Sequence, residues 1–103
     1  MDNDTLSAVL DGIPKGRWAS YADVAIAAGG TLRHARSLNR RLARLGHKHG
    51  HRVLKSNGAI APTALGDPDA VRRKLRREGL RFEGGCAPQE ARLRPEGALA
   101  AAT

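Results

Sequence analysis

Thr31-Leu32-Arg33-His34-Ala35-Arg36-Ser37-Leu38-Asn39-Arg40-Arg41-Leu42-Ala43-Arg44-Leu45 is the stretch that decides the fold. At about 100° of rotation per helical residue, Arg33, Arg36, Arg40 and Arg44 fall within an arc of roughly 80°. Leu38, Leu42 and Leu45 project from the opposite side, with Ala35 beside them. One face is apolar and the other is a stripe of arginines with no interleaved carboxylate. A helix face made only for solubility mixes both charge signs. The stripe therefore points to a phosphate-bearing partner.

Upstream, Ser20-Tyr21-Ala22-Asp23 has capping-box form and opens a short Ala-rich helix to Ala28, which Gly29-Gly30 ends. Two helices joined by a glycine turn, the second carrying the stripe, predict a helix-turn-helix. Thr5 or Asp4 is placed to cap an earlier helix with Leu6, Val9 and Leu10 on one face. Downstream, Val53-Leu54 and Ala59-Ile60 flank Lys55-Ser56-Asn57-Gly58, and Asn-Gly predicts a β-hairpin. Asp67-Pro68 starts a last helix to Glu78, with Val71 and Leu75 facing inward and Gly79 as its stop. The expected fold is mostly α with a small β-hairpin, a winged-helix domain over residues 1–84. From Gly84 the chain is rich in Gly, Pro, Ala and Glu, so residues 85–103 are expected to form a tail without fixed structure.

The 103 residues carry 18 Lys and Arg against 10 Asp and Glu, a formal charge of +8. Most of the excess is arginine, which offers planar bidentate donors to phosphate. A polyanion is the expected partner. A single cysteine, Cys86, excludes an internal disulfide framework and a multi-cysteine zinc site. No apolar run approaches the roughly 18 residues of a membrane span. Without a signal-peptide pattern at Met1-Asp2-Asn3-Asp4, a cytoplasmic, nucleoid-associated monomer is expected. His47, His49 and His51 alternate, which raises the question of a metal. On an extended segment alternate Cα atoms stand about 6.5 to 7 Å apart on one side, and no carboxylate is near in sequence. No metal and no cofactor is expected.

Five pieces, in register, carry a family resemblance. They are Ile13-Pro14-Lys15-Gly16-Arg17, Ser20-Tyr21-Ala22-Asp23-Val24-Ala25, Arg33-His34-Ala35-Arg36, His51-Arg52-Val53 with Asn57-Gly58, and Glu78-Gly79. Together they resemble the DNA-binding C-terminal domain of the O6-alkylguanine-DNA alkyltransferases and the alkyltransferase-like proteins, over roughly Thr5 to Phe82. In the enzymes a proline and a nucleophilic cysteine precede His-Arg-Val. Here His49 and Gly50 stand there.

The resemblance implies a protein that binds duplex DNA through the minor groove and turns an O6-alkylguanine out of the stack. Extrusion costs a few kcal/mol, less at a lesion with weakened pairing. By resemblance Arg36 fills the vacated stack and Tyr21 packs at the rotated phosphate. Arg33, Arg40 and Arg44 complete the DNA-binding set. His49, Gly50, His51, Arg52, Val53, Asn57 and Tyr21 are the expected lesion pocket. In the enzymes a histidine and a glutamate lower the cysteine pKa, because the thiolate is the nucleophile. His51 and Glu78 match those positions and are left as a structural polar pair.

Glycine cannot accept an alkyl group, so the implied function is lesion recognition without transfer, with repair passing to another pathway, namely nucleotide excision repair. Gly50 would also leave a roomy pocket, open to bulky adducts. The loop Ala61-Pro62-Thr63-Ala64 departs from the small polar residues usual in the family. Two rival readings remain: a lesion-indifferent winged-helix DNA-binding or regulatory protein, and a true alkyltransferase using Cys86. The second is disfavoured because Cys86 lies outside the motif with no histidine near it in sequence.

Overall fold

In the computed structural model, which describes residues 2–94, the first helix begins two to three residues earlier than expected. The Thr5 N–H donates to Asp2 Oδ1 at 2.7 Å, so Asp2 caps α1 (Asn3–Asp11). The capping box at Ser20 forms as read. The Ser20 N–H donates to Asp23 Oδ2 and the Asp23 N–H to Ser20 Oγ, each at 3.0 Å. This box launches α2 (Tyr21–Ala27), and after a short turn α3 runs over Leu32–Leu45. Gly46, at φ 64°, ends α3 in the left-handed conformation glycine favours. The last helix, α4 (Pro68–Arg77), is capped by Asp67, whose Oδ1 accepts from the Ala70 N–H at 3.1 Å.

The small sheet differs from the expected hairpin. β1 (Ala19–Ser20) pairs in parallel with β2 (Val53–Leu54), Ala19 opposite Val53 and Ser20 opposite Leu54. A parallel pair needs a crossover, and α2 and α3 supply it. The Asn-Gly turn itself forms, with the Gly58 N–H donating to the Lys55 carbonyl at 2.8 Å. The Lys55 N–H also donates to the Ala59 carbonyl at 2.9 Å, but pairing across the turn goes no further, and Ala59 bridges Cys86 in antiparallel fashion. Two hydrogen-bonded rungs to β1 replace a hairpin ladder.

Because successive strand residues face opposite sides, the sheet serves two cores. Ala19 and Val53 join Leu6, Val9, Leu10, Ile13, Val24, Leu38 and Leu42 between α1, α2 and α3. Trp18 and Leu54 join Val71, Leu75, Leu80 and Ala87 under α4. Leu65 packs against both clusters.

Residues 85–94, expected as the start of an unstructured tail, instead strap the domain. The Leu93 N–H donates to the Trp18 carbonyl at 2.7 Å, and Trp18 Nε1 donates to the Pro88 carbonyl at 2.8 Å. Arg92 grips Asp23 with two bonds, of 2.7 and 3.1 Å, and lies over the Trp18 ring. Ala87 and Leu93 are buried. Gly58 (φ 89°) answers to this strap, since a Cβ there would meet the Ala87 carbonyl oxygen at 2.5 Å. Composition suggested disorder, but distant apolar partners, which composition cannot show, order the segment. The remainder of the expected tail, 95–103, lies outside the described residues.

Candidate nucleic-acid interface and base pocket

The outer face of α3 carries Arg33, Arg36, Arg40 and Arg44, all exposed. Among the described residues none of the four makes an ion pair or a side-chain hydrogen bond. Opposite them Leu38 and Leu42 are buried, so the facial division read from the sequence holds. Leu32, at the head of the stripe, is an exposed large hydrophobic. An open groove of about 470 Å³ runs along the helix, lined by Arg36, Ser37, Asn39, Arg40, Ala43 and Thr63.

One wall of that groove is tied down by Asn39. Its Nδ2 donates to Thr63 Oγ1 at 2.9 Å and to the Thr63 carbonyl at 3.3 Å. Its Oδ1 accepts from the Tyr21 hydroxyl at 3.3 Å. Burial pushes the Tyr21 phenol up to about 12, so it stays a neutral donor. Tyr21 on α2, Asn39 on α3 and Thr63 in the following loop are thus one unit. Sequence reading singled out Tyr21 and missed the other two. An amide set between the arginine stripe and the leucine face of α3 was the available signal.

Gly50, His51 and Arg52 form a single 3₁₀ turn that runs into β2, and all three are buried. Glu78, at the end of α4, holds the turn in place. His51 Nε2 lies 2.9 Å from Glu78 Oε2, and Arg52 donates to both carboxylate oxygens, Nε to Oε1 at 3.0 Å and Nη2 to Oε2 at 2.8 Å. Arg52 Nη1 donates to the Ile13 carbonyl, which ties in the segment after α1. Burial alone would raise the Glu78 carboxyl, but bonds from Arg52 and His51 outweigh it and hold it below its ordinary value. Burial lowers the His51 pKa, which Glu78 only partly offsets. At neutral pH His51 is therefore a neutral imidazole donating to a carboxylate. The expected polar pair is a triad, with Arg52 its bidentate member.

Gly50 has no positive φ, and a Cβ built on it would meet only Leu65, at 3.7 and 3.8 Å. The backbone does not require glycine here. The space above it is not open, however. Leu65 closes over it, correcting the expectation of a roomy pocket. Leu65 is the one non-glycine residue among those described with positive φ, 50°, a conformation that costs an L-residue about 1–2 kcal/mol. No local sequence signal marks it.

The other expected pocket residues divide. Val53 points into the first core. Asn57 is exposed, and its Oδ1 accepts from the Ala59 N–H at 3.0 Å, so it closes the turn. His49 leads into the 3₁₀ turn, half-buried beside His47. The segment is not extended, and Asp11 at the end of α1 lies 3.0 Å from His47, so both grounds for discounting a metal there fail. Cys86 lines a separate cavity with Arg81, Glu83, Pro88 and Glu90.

Residues 3–98 match the profile of a family described as 6-O-methylguanine DNA methyltransferase, DNA binding domain. No curated protein sequence matches the chain. Among solved structures, the crystal structure of S. pombe Atl1 in complex with damaged DNA containing O6-carboxymethylguanine is similar, with a TM-score of 0.65. Identity is 22%, covering 92% of this chain and 99% of that chain, and the likeness is one of fold.

Proposed function

Since this chain belongs to the family of the 6-O-methylguanine DNA methyltransferase DNA-binding domain, we propose that it binds duplex DNA and holds an extruded O6-alkylguanine without accepting the alkyl group. One observation carries this reading. The buried turn Gly50-His51-Arg52 keeps its complete Glu78 anchorage, yet the residue at its head has no side chain to react. A turn whose support is intact and whose nucleophile is missing is suited to recognition. The fold likeness to Atl1, itself solved on damaged DNA, supports the same reading.

In this mechanism the stripe neutralises phosphates along the minor groove, and Leu32 offers the sugar edges an apolar neighbour. Arg36 enters the stack as the base leaves, since a guanidinium both stacks on bases and bonds their edges. Tyr21, fixed by Asn39, stands at the rotated phosphate. For the base to lodge beside the 3₁₀ turn, Leu65, which closes over Gly50, must swing aside. The protein acts as a monomer wherever the chromosome is, in the cytoplasm, and marks the lesion for nucleotide excision repair.

Fluorescence anisotropy with matched duplexes tests this. The duplex carrying O6-methylguanine should bind more tightly than plain guanine duplex, and the protein should keep its mass after incubation. Equal affinity for both duplexes would sink the lesion reading and favour a lesion-indifferent DNA binder. A methyl group gained on Cys86 would instead make the protein an alkyltransferase.

A further inference from the structure

We propose that Asp11, His47 and His49 form a binding site for a divalent first-row transition ion of the zinc class, separate from the DNA-binding stripe. Each residue offers a ligand atom within 4.8 Å of the other two. His47 Nε2 and Asp11 Oδ1 already stand 3.0 Å apart. The two imidazoles meet edge to face, with centroids 5.3 Å apart. The observation that points to a ligand is His49 Nδ1, buried without any hydrogen-bond partner. An orphaned buried polar atom calls for an explanation, and a ring that sits in one cluster with a second histidine and a carboxylate offers one.

Two imidazoles and one carboxylate suit zinc, cobalt or nickel rather than magnesium or calcium, which prefer all-oxygen shells. Tetrahedral zinc with bonds of about 2.0–2.2 Å places its ligand atoms roughly 3.3 Å apart. The His47 and Asp11 atoms, now 3.0 Å apart, must therefore open slightly while His49 draws in toward them. Asp11 is exposed and His47 sits on a loop, so both can turn. His47 Nδ1 accepts from the His49 backbone N–H at 2.9 Å, so its ring proton now lies on Nε2, facing Asp11. On binding, that proton moves to Nδ1, Nε2 takes the ion, and the His49 N–H turns to water. That exchange makes the site one of moderate affinity, with solvent completing the coordination. An ion here would cross-link the end of α1 to the loop immediately ahead of Gly50.

Calorimetric titration of the chelator-treated full chain with zinc chloride decides the matter. One ion per chain should bind and raise Tm, as any ligand of the folded state does. Asp11→Asn and His47→Ala should each weaken zinc at least roughly tenfold and abolish the Tm rise, while Cys86→Ser changes neither. Cobalt in place of zinc should give visible bands of a nitrogen and oxygen shell without thiolate charge transfer. The proposal is overturned if zinc fails to bind, if both Asp11→Asn and His47→Ala bind it as the parent does, or if Cys86→Ser removes it.

Discussion

Two basic regions of this molecule are built on opposite principles. Around Glu78 the positive charge is buried: Arg52 is only 3% exposed and donates to both Glu78 oxygens and to the Ile13 carbonyl. Along α3 four guanidinium groups lie in solvent with no partner among the described residues. A buried ion that loses its counterion carries an uncompensated desolvation penalty. An exposed one costs nothing to the fold and is free to meet phosphate. Stability and binding should therefore be separable by mutation.

The sharpest break in that comparison is Glu78→Ala, which leaves Arg52 and His51 buried together without their carboxylate. It should lower stability by about 3–5 kcal/mol, the usual effect of removing one partner from a buried pair, read by urea unfolding. Glu78→Gln keeps the shape and should fall between the two. If Glu78→Ala unfolds as the parent does, the triad does not hold the turn.

On the other side, Arg36→Ala should leave the urea midpoint unchanged within about 0.5 kcal/mol. It should weaken lesion-duplex binding by roughly 1.5–3 kcal/mol, the range for a hydrogen bond involving a charged group. Arg40→Ala and Arg44→Ala, as phosphate contacts, should each reduce the slope of log K against log salt by about 0.9. A loss of stability in these variants would blur the division.

How much of this was legible in the sequence follows from the range of the interactions. The stripe, the Ser20 capping box, the Asp67 cap and the Asn57 turn depend on residues within one or two helical turns, and all were readable. His51 and Glu78 were paired by resemblance; nothing local shows that Arg52 also grips the same carboxylate. The parallel pairing of Ala19–Ser20 with Val53–Leu54, the Arg92 clamp on Asp23 and the approach of Asp11 to His47 join distant parts of the chain. Periodicity carries no information about such contacts. Leu65 is the hardest case, because Ala-Pro-Thr-Ala-Leu-Gly offers no reason to expect a leucine with positive φ.

Leu65 sits where the two regions meet, above Gly50 and in the loop that Asn39 anchors to α3. Leu65→Ala should cost about 1–2 kcal/mol, less than a fully buried leucine. Glycine ordinarily destabilises more than alanine, but here it also relieves the left-handed backbone. Leu65→Gly should thus be at least as stable as Leu65→Ala in the same urea experiment. Both variants should narrow the difference in affinity between O6-methylguanine and bulkier O6-alkyl duplexes, whereas Arg36→Ala lowers affinity for all. An unchanged preference would remove Leu65 from the pocket.

The smallest effect is a slope with pH, and it tests whether the buried triad behaves as one unit. His51 has a folded pKa below its unfolded value because burial opposes the imidazolium. The unfolded chain therefore takes up the proton first, and stability falls as pH drops below about 6.5. Glu78 is also lowered, with Arg52 and His51 outweighing the burial that would raise it. Its contribution is complete above the ordinary glutamate range near 4.5 and is lost as pH falls through the folded value. The two losses have the same sign and follow one another, so acid should destabilise the protein in two stages. His51→Gln should shrink the upper stage, to which His49, also lowered by burial, adds with the same sign. Glu78→Gln should shrink the lower stage, which Asp23 shares. DNA affinity of the α3 face should not follow the upper stage while the protein stays folded. A parallel fall of binding and stability near pH 6 would show that the exposed stripe and the buried triad are coupled.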